Sequence, residues 1–226
     1  MQRSFAASGR ITAFVHNDGY DYVEGEAGEA YGGTLKRFRR HVVHVKPGVF
    51  VMFDDLVATK PATFQWLLHA YEKIQIEDSS RSLHVRREPA AMKMRFLWPP
   101  SLSFSQTDRY NPDPERVKPG EIKNSWHLTA STKEPSATRQ FLTVLVPYRI
   151  GQEASVPQAE LVNGNGAIGV RLIASDGFQE LVAFRTGEAR AAVCGGLRSD
   201  ARVFARGARP DGTVVRRLLV DGEKCE

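Results

Sequence analysis

Cysteine is nearly absent from the chain: Cys194 and Cys225 are the only two in 226 residues. Two cysteines are too few for a disulfide framework or a zinc knuckle, and they leave the redox compartment open. The chain does not need such crosslinks, because a protein of this length buries about 70% of the surface that it exposes when unfolded. A packed core is therefore expected to hold the fold together.

Long apolar runs are also missing. None approaches the ~20 residues that span a bilayer, and the first residues, MQRSFAASGR, have no apolar segment of a secretory signal. We therefore expect no membrane partner. The start of the chain indicates either a protein that is not exported or a natural N-terminus upstream of Met1.

Amphipathic patterns of helical period are absent as well, whereas strand patterns recur along the chain. Runs rich in Val, Phe, Leu and Thr alternate with period two and are broken by Gly, Pro, Asn and Asp. We predict an all-β fold, an antiparallel β-sandwich of two large packed sheets with little or no helix. Residues 1–226 are interpreted as a single domain, with a possible seam near residues 150–158.

One long stretch, residues 108–124 (DRYNPDPERVKPGEIKN), fits neither strand nor helix because prolines interrupt it. Irregular segments of this length are uncommon in compact domains unless they are functional or disordered. The stretch is therefore a candidate rim or lid loop, with a disordered excursion as the alternative.

The charge is basic: the formal net charge is +5 and the sequence pI is about 9.3. Such a surface favours polyanions as partners, namely acidic polysaccharides, nucleic acids or anionic lipid. Lys36, Arg37, Arg39 and Arg40 form the densest basic cluster, and the plainer interpretation is a solvated strand face. Nucleic acid is not expected as a partner, because no recognition helix or RNA-binding aromatic motif accompanies the dispersed basic residues.

Residues 39–56, RRHVVHVKPGVFVMFDDL, bring together two histidines and two aspartates as a metal site would. Pro47–Gly48 indicates a tight turn between two strands. Side chains alternate between the faces of a strand, so His41 and His44 point to opposite sides and cannot bind one metal. We interpret the stretch as scaffold, and we predict neither a metal site nor a cofactor.

The same turn predicts a register. If only Pro47 and Gly48 form the loop, then Arg40 lies opposite Asp55 and His41 lies opposite Asp54, as ionic pairs across the two strands. A longer loop would change these pairs. A second segment, GNGAIG at residues 164–169, resembles a dinucleotide fingerprint. A strand pattern follows it where that motif requires a helix, so the segment is predicted to be a hairpin turn.

The strand ATFQWLLHAY, residues 62–71, offers a possible acid/base pair. His69 and Tyr71 share its semi-polar face and could point into one groove; a surface histidine beside a tyrosine is the alternative. Trp98 and Tyr110 are aromatic residues placed where a sugar ring could stack, although Trp98 could equally pack in the core.

Three segments in order have the pattern of a known family: HNDGYDYVEGEAGEAYGG, RFRRHVVHVKPGVFVMFDDL and FQWLLHA. They resemble the C-terminal β-sandwich module of the heparinase II/III-like polysaccharide lyases, a group that includes alginate lyases. The resemblance is best over residues 10–72 and extends to about residue 149. The matching positions are Tyr22, Tyr31, Arg40, Asp54 or Asp55, and Trp66 to His69.

This resemblance implies one part of a two-part enzyme. Such lyases join an N-terminal α/α toroid to the sandwich and cleave uronate-containing polysaccharides by β-elimination in the cleft between the two. A tyrosine and a histidine usually act as acid and base, and some members hold a structural zinc. The sequence lacks the toroid, and the match begins after the family's zinc ligands. We therefore carry over no metal ligand.

The expectation is a β-sandwich portion of such a lyase that is inactive or nearly so alone, with His69 and Tyr71 as candidate catalytic residues. Arg37, Arg39, Trp98 and Tyr110 are candidate substrate-binding residues. The alternative is a non-catalytic module for acidic-glycan binding or assembly. The expected partner is a uronate-containing acidic polysaccharide, with a homo-oligomer or a separate toroid-bearing chain also possible. By resemblance, the location would be periplasmic or secreted.

Overall fold

A computed structural model describes residues 8–109 and 124–226 of the chain. Within these ranges the regular structure is almost entirely β, with two short 3-10 turns at Gly28–Tyr31 and Glu153–Ser155. The strands are β1 (Arg10–His16), β2 (Tyr20–Glu26), β3 (Leu35–Val45), β4 (Val49–Ala62), β5 (Gln65–Ala70), β6 (Gln75–Glu77), β7 (Ser82–Arg87), β8 (Ala90–Trp98), β9 (Leu102–Thr107), β10 (Trp126–Thr132), β11 (Ser136–Arg149), β12 (Gln158–Asn163), β13 (Ala167–Ile173), β14 (Gln179–Arg185), β15 (Ala192–Cys194), β16 (Leu197–Ser199), β17 (Val203–Ala208) and β18 (Val214–Val220).

These strands form four antiparallel sheets. The large sheet has eight strands in the order β1-β2-β3-β4-β11-β8-β7-β6. A five-stranded sheet has the order β12-β13-β14-β17-β18, a three-stranded sheet has the order β5-β10-β9, and β15 pairs with β16. The prediction of an all-β antiparallel fold with little or no helix is confirmed.

The main core lies between the large sheet and the five-stranded sheet. Val43 and Phe53 of the large sheet are fully buried in the same cluster as Val170 and Phe184 of the other. Each aliphatic or aromatic side chain buried in this way contributes about 1.5–3 kcal/mol to folding. This pair of packed sheets is the predicted sandwich.

A second core lies on the opposite face of the large sheet, beneath the three-stranded sheet. Trp66 and Leu128 of the smaller sheet pack with Phe96 and Phe141 of the large one. The central strands of the large sheet are therefore covered on both sides, as expected of strands that are apolar on both faces. The molecule thus has three layers where two were predicted to pack.

The β3–β4 hairpin has a different register from the predicted one. Val45 lies opposite Val49, so the loop contains three residues, Lys46 to Gly48. Arg40 consequently lies opposite Asp54, and the predicted pairs of Arg40 with Asp55 and of His41 with Asp54 are wrong. Because the side-chain period of a strand is two, the shift of one residue moves every β4 side chain to the other face relative to the prediction.

The two outer sheets cover different parts of the large sheet. Among the described residues, β1 and β2 contribute side chains to the main core but none to the second core. The side of β1 and β2 that faces away from the five-stranded sheet is therefore uncovered, together with the adjoining part of β3 beyond Leu35 and Phe38, which pack against the second core. We call it the open face; Phe14 of β1 lies on it opposite Val23 of β2, which in turn lies opposite Val42 of β3.

Three other sequence-based predictions concern connections. The GNGAIG segment is a turn as predicted: Gly164 donates its N–H to the Ala167 carbonyl at 2.9 Å, and Gly166 has a φ of +73°. The stretch near residues 150–158 carries the chain from the large sheet to the five-stranded sheet; the single-domain assignment stays a prediction. Within the described ranges, no helix has the length and apolar character to cross a membrane.

Candidate functional site

A groove lies where the open face meets the edge of the three-stranded sheet. Its volume is about 640 Å³. Tyr31, Phe38, Arg40, Asp54 and Trp66 are among the residues that line it, and we call it the Arg40 groove. Tyr31, Arg40 and Trp66 are positions at which the sequence resembles the lyase pattern, and Asp54 is one of the two aspartates, with Asp55, given for a further position. The fold thus brings together what is scattered over 36 positions of the chain.

Arg40 and Asp54 form the polar centre of the groove. The Nε of Arg40 donates to one carboxylate oxygen of Asp54 at 2.6 Å, and Nη2 donates to the other at 2.8 Å. The indole N–H of Trp66 also donates to Asp54, at 3.1 Å. Such a bidentate pair fixes the plane of the guanidinium as well as its position.

The exposure of the two partners differs. The Asp54 side chain is only 2% exposed, whereas that of Arg40 is 38% exposed. Burial acts to lower the pKa of Arg40, but the hydrogen bond and charge of Asp54 outweigh it and raise that pKa. Arg40 is thus a fixed cation at all relevant pH values. Within the part of the chain that the structure describes, its Nη1 group has no hydrogen-bond partner.

Aromatic rings flank this cation. The guanidinium carbon of Arg40 lies 5.5 Å from the ring centre of Phe38 and 5.7 Å from that of Trp66. Trp66 is held in turn by an edge-on contact with Phe96 at 5.4 Å. A cation between aromatic faces in an apolar groove is suited to an anionic ligand with an apolar ring face.

Tyr31 stands at the mouth of the groove. It ends the 3-10 turn, and Gly32 and Gly33, with φ of +57° and +78°, then reverse the chain into β3. Only glycine adopts such angles without strain. Tyr31 is 41% exposed and contacts Phe38 edge-on at 5.4 Å. Partial burial raises the pKa of Tyr31 despite the nearby charge of Arg40, so its phenol stays protonated.

Two of the predicted binding residues lie on the other face of β3. Arg37 pairs with Asp55 at 2.9 Å. Arg39 has its Nε 3.7 Å from carboxylate oxygens of both Glu24 and Glu26. The structure therefore brings Arg37 and Arg39 together in a polar depression, away from the Arg40 groove, and their role in binding stays a prediction.

The other predicted site residues lie elsewhere. His69 is exposed on the outer face of the three-stranded sheet, with its ring centre 4.6 Å from that of His127. Tyr71 follows two residues later, under the guanidinium of Arg87 at 4.9 Å. Trp98 is half-buried against the main core. Tyr110 lies outside the described residues, so its predicted role is not addressed by the structure.

At the far end of the open face, histidine and carboxylate side chains lie together, as they would at a structural zinc site of the kind that some family members hold. Asp21 accepts hydrogen bonds from His16 at 2.6 Å and from His44 at 3.2 Å, and the ammonium of Lys46 lies 2.9 Å from the same carboxylate. Lys46, His16 and His44 together lower the pKa of Asp21 to about 2.

These residues do not fit a metal site. The lysine ammonium already holds the carboxylate oxygen that a metal would need, and a cation beside it would be repelled. Among the residues that the structure describes, no group of three or more His, Cys, Asp or Glu side chains could hold a metal ion.

Sequence reasoning assigned Arg40 and Asp54 to the scaffold. It missed the groove because a two-residue turn placed Arg40 opposite Asp55 and left Asp54 beside His41. The usable signal was the resemblance itself, which already contained Tyr31, Arg40, Trp66 and one of the two aspartates, Asp54 or Asp55, as matching positions.

The fold places the chain among antiparallel β-sandwich proteins, and its sequence identifies the family. The family model "Heparinase II/III-like, C-terminal" matches residues 1–170. The chain therefore belongs to the heparinase II/III-like C-terminal family. Among curated proteins, no sequence matches the chain.

Solved structures share the fold. One is heparinase III, with a TM-score of 0.59 and 15% identity over 79% of this chain. Another is the heparan sulfate lyase HepC of Pedobacter heparinus, with a TM-score of 0.56 and 15% identity over 80% of this chain. The chain spans only 27% and 28% of these two proteins, respectively.

Proposed function

We propose that this chain is the β-sandwich portion of a heparinase II/III-type polysaccharide lyase, and that its Arg40 groove binds a uronate unit of an acidic polysaccharide. The observation that carries the proposal is the bidentate Arg40–Asp54 pair, which holds a partly exposed guanidinium between aromatic rings. The name of one structural neighbour, a heparan sulfate lyase, makes heparan sulfate the first polysaccharide to test.

Lyase chemistry gives Arg40 a specific task. In β-elimination a base removes the proton next to the uronate carboxylate, and an acid protonates the departing glycosidic oxygen. The intermediate carries extra negative charge on the carboxylate, and a fixed cation lowers its energy. Arg40 would supply this cation through its free Nη1 group, while Asp54 keeps the guanidinium in place.

Tyr31 is the candidate general acid of the groove. Its phenol is neutral, lines the same cavity as Arg40 and is accessible from solvent. Trp66 and Phe38 would contact the apolar face of a sugar ring. The assignment of His69 and Tyr71 as acid and base stays a prediction, and it requires the polysaccharide to reach the outer face of the three-stranded sheet.

We expect the isolated chain to have little or no lyase activity. No histidine or lysine is among the described residues that line the Arg40 groove, and Asp54 is engaged by Arg40 and Trp66. A base would therefore have to come from outside this sandwich, for example from a toroid-bearing chain.

The test measures binding and turnover together. Heparan sulfate oligosaccharides are titrated into the wild type and Arg40→Gln, and product is followed by the ultraviolet absorbance of the unsaturated uronate. We expect salt-sensitive binding that weakens about tenfold in the variant, as for loss of a charge-assisted hydrogen bond, and a flat absorbance trace.

Two results would overturn the proposal. Equal binding by wild type and Arg40→Gln would remove the groove from the function. Vigorous product formation that His69→Ala or Tyr71→Phe abolishes would move the chemistry to the outer face of the three-stranded sheet. The panel includes alginate, chondroitin sulfate and hyaluronan, because the polysaccharide class rests on resemblance.

The second candidate function is a non-catalytic module that binds acidic glycans or assembles with another chain. The net charge of +5 favours it. Mixing the chain with a toroid-bearing lyase domain separates the two functions. Product formed only by the mixture supports the lyase portion, and glycan binding without product in any mixture supports the module.

A further inference from the structure

A second cavity lies on the opposite face of the large sheet from the Arg40 groove. It is formed by β7, β8 and β11 on one side and by the beginning of β12 on the other, and its volume is about 460 Å³. Small-molecule sites commonly have about 300–1,000 Å³. We call this cavity the β8 cleft; neither the groove nor the predicted site residues belong to it.

Three basic side chains line the floor of the β8 cleft. Lys93 lies opposite His84 in the β7–β8 ladder, and Arg95 lies two residues further along β8. Residues two apart on a strand point to the same face, and directly paired residues do as well. The sheet therefore presents the three side chains together.

Carboxylates also line the cleft, but two of the three already have partners. Glu77 lies 3.2 Å from the Nε2 of His84 and accepts from the Ser80 hydroxyl at 3.1 Å. Glu153 accepts from the backbone N–H of Gly151, and backbone hydrogen bonds lower its pKa. Glu160 stands on the exposed rim.

Lys93 and Arg95, the two cations on the floor of the cleft, are less completely paired than these carboxylates. Within the described ranges, no carboxylate pairs with Lys93. Arg95 donates from Nη1 to the Ala159 carbonyl at 2.8 Å, which ties β8 to β12, while its Nε is buried and has no hydrogen-bond partner among the described residues. A buried donor without a partner is unfavourable, and an acceptor brought by a ligand would relieve this cost.

We propose that the β8 cleft is a second oxyanion site, in which Lys93 and Arg95 bind a sulfate or carboxylate group carried on a sugar unit. Val144, Val156 and Tyr148 line the cleft beside these cations and would contact the ring of that sugar. The identity of the sugar rests on the proposed function, whereas the oxyanion chemistry rests on the cleft alone. A lyase portion with this site would hold the polymer at two places on opposite faces.

The experiment follows backbone amide resonances of the wild-type chain by NMR during two titrations. One ligand is inorganic sulfate, and the other is a heparan sulfate tetrasaccharide; a neutral tetrasaccharide is the blank. Amides of Val144, Val146 and Gln158 report on the cleft, and those of Tyr31 and Phe38 report on the Arg40 groove.

Three variants accompany the wild type. Lys93→Gln and Lys93→Glu alter the cleft, and Lys60→Gln removes an exposed lysine of β4 as the matched control. We expect both acidic ligands to shift the cleft amides, Lys93→Gln to weaken that binding about tenfold, Lys93→Glu to abolish it, and Lys60→Gln to leave it unchanged.

The outcomes separate this proposal from the proposed function. Shifts at the cleft with sulfate and none with the tetrasaccharide at either place support the oxyanion site while the glycan function fails. Tetrasaccharide shifts confined to the Arg40 groove support the function and overturn the cleft site, as does cleft binding that Lys93→Glu leaves intact. No shift at the cleft with either ligand overturns it as well.

Discussion

At the scale of single residues, Asp54 is the carboxylate on which the candidate site depends. It is nearly completely buried and accepts three hydrogen bonds, two from Arg40 and one from Trp66. Removing one partner of a buried pair leaves the other charge uncompensated. Asp54 therefore contributes both to the stability of the fold and to the orientation of Arg40.

The first prediction compares two neighbouring aspartates. Asp54→Asn should lower the free energy of unfolding by about 2 kcal/mol, because a charged acceptor of a bidentate pair is lost. Asp55→Asn, which affects the half-exposed pair with Arg37, should cost less than about 1 kcal/mol. Urea denaturation of the wild type and both variants measures the difference. Equal losses would show that burial of the Arg40–Asp54 pair contributes nothing extra.

His41 is a second informative residue, because it is buried in the main core. Its ring centre lies 5.7 Å from that of Phe53 and 5.8 Å from that of Phe184. Burial, assisted by the charge of Arg39, lowers the pKa of His41 to about 4. Glu24 lies 3.3 Å from its Nδ1, but it is also paired with Arg202, which neutralises its charge.

The second prediction follows from this lowered pKa. The folded state keeps His41 neutral, so as the pH falls the unfolded chain takes up the proton first. The contribution of His41 is complete above its unfolded pKa of about 6.5 and is lost as the pH falls toward the folded value of about 4, by up to about 3 kcal/mol. In His41→Gln this loss should disappear, whereas the exposed His69→Gln should retain it. Denaturation midpoints across this pH window measure the effect, and identical pH profiles of wild type and His41→Gln would contradict it.

At the scale of secondary-structure elements, the β3–β4 hairpin shows what sequence could predict and where it failed. Alternation of Val, Phe and charged residues predicted both strands, and it placed His41 and His44 on opposite faces. The turn length was wrong by one residue, because Lys46 belongs to the loop. Loop length depends on backbone geometry that Pro47–Gly48 alone does not define. Because of this error, the predicted register did not pair Asp54 with Arg40.

Glycine in the strands gives the third prediction. A Cβ on Gly169 would lie 2.4 Å from the Val182 carbonyl oxygen and 3.0 Å from the Cα of Ala183, in the neighbouring strand β14. Gly169→Ala should therefore force β13 and β14 apart and destabilise the fold by about 2–3 kcal/mol. On Gly25, the nearest atom would be 3.8 Å away, so Gly25→Ala should be nearly neutral. Thermal unfolding of Gly169→Ala and Gly25→Ala measures the difference. Equal melting temperatures for the two variants would contradict the close approach of β13 and β14 at Gly169.

At the scale of the whole molecule, the sandwich followed from the sequence but the third layer did not. Strand patterns predicted the strands themselves, of which β4, β8 and β11 contribute side chains to both cores. They do not indicate which strands cover each face, because that depends on non-local packing. The Arg40 groove exists only at the edge of the third layer, where Trp66 meets β3 and β4. It was therefore beyond reach of sequence pattern alone.

Because the three-stranded sheet does not cover β1, apolar side chains of this outer strand are exposed. Ile11 is 69% exposed and Phe14 is 67% exposed. Both lie on the open face by their pairing with Gly25 and Val23. Exposed apolar residues on an outer strand promote edge-to-edge pairing and association.

The last prediction is therefore that the isolated chain self-associates through β1 as its concentration rises. The double variant Ile11→Thr/Phe14→Thr keeps β propensity but removes the apolar surface, so it should remain monomeric over the same range. Val215→Thr is the matched control, since Val215 is 46% exposed on β18, the outer strand of the five-stranded sheet, and should not alter association. Sedimentation velocity over a dilution series measures all three proteins. A monodisperse monomer for the wild type, or association that the double variant retains, would contradict the prediction. If a toroid-bearing chain instead covers the open face, its addition should dissociate the wild-type oligomer, because both partners would compete for Ile11 and Phe14.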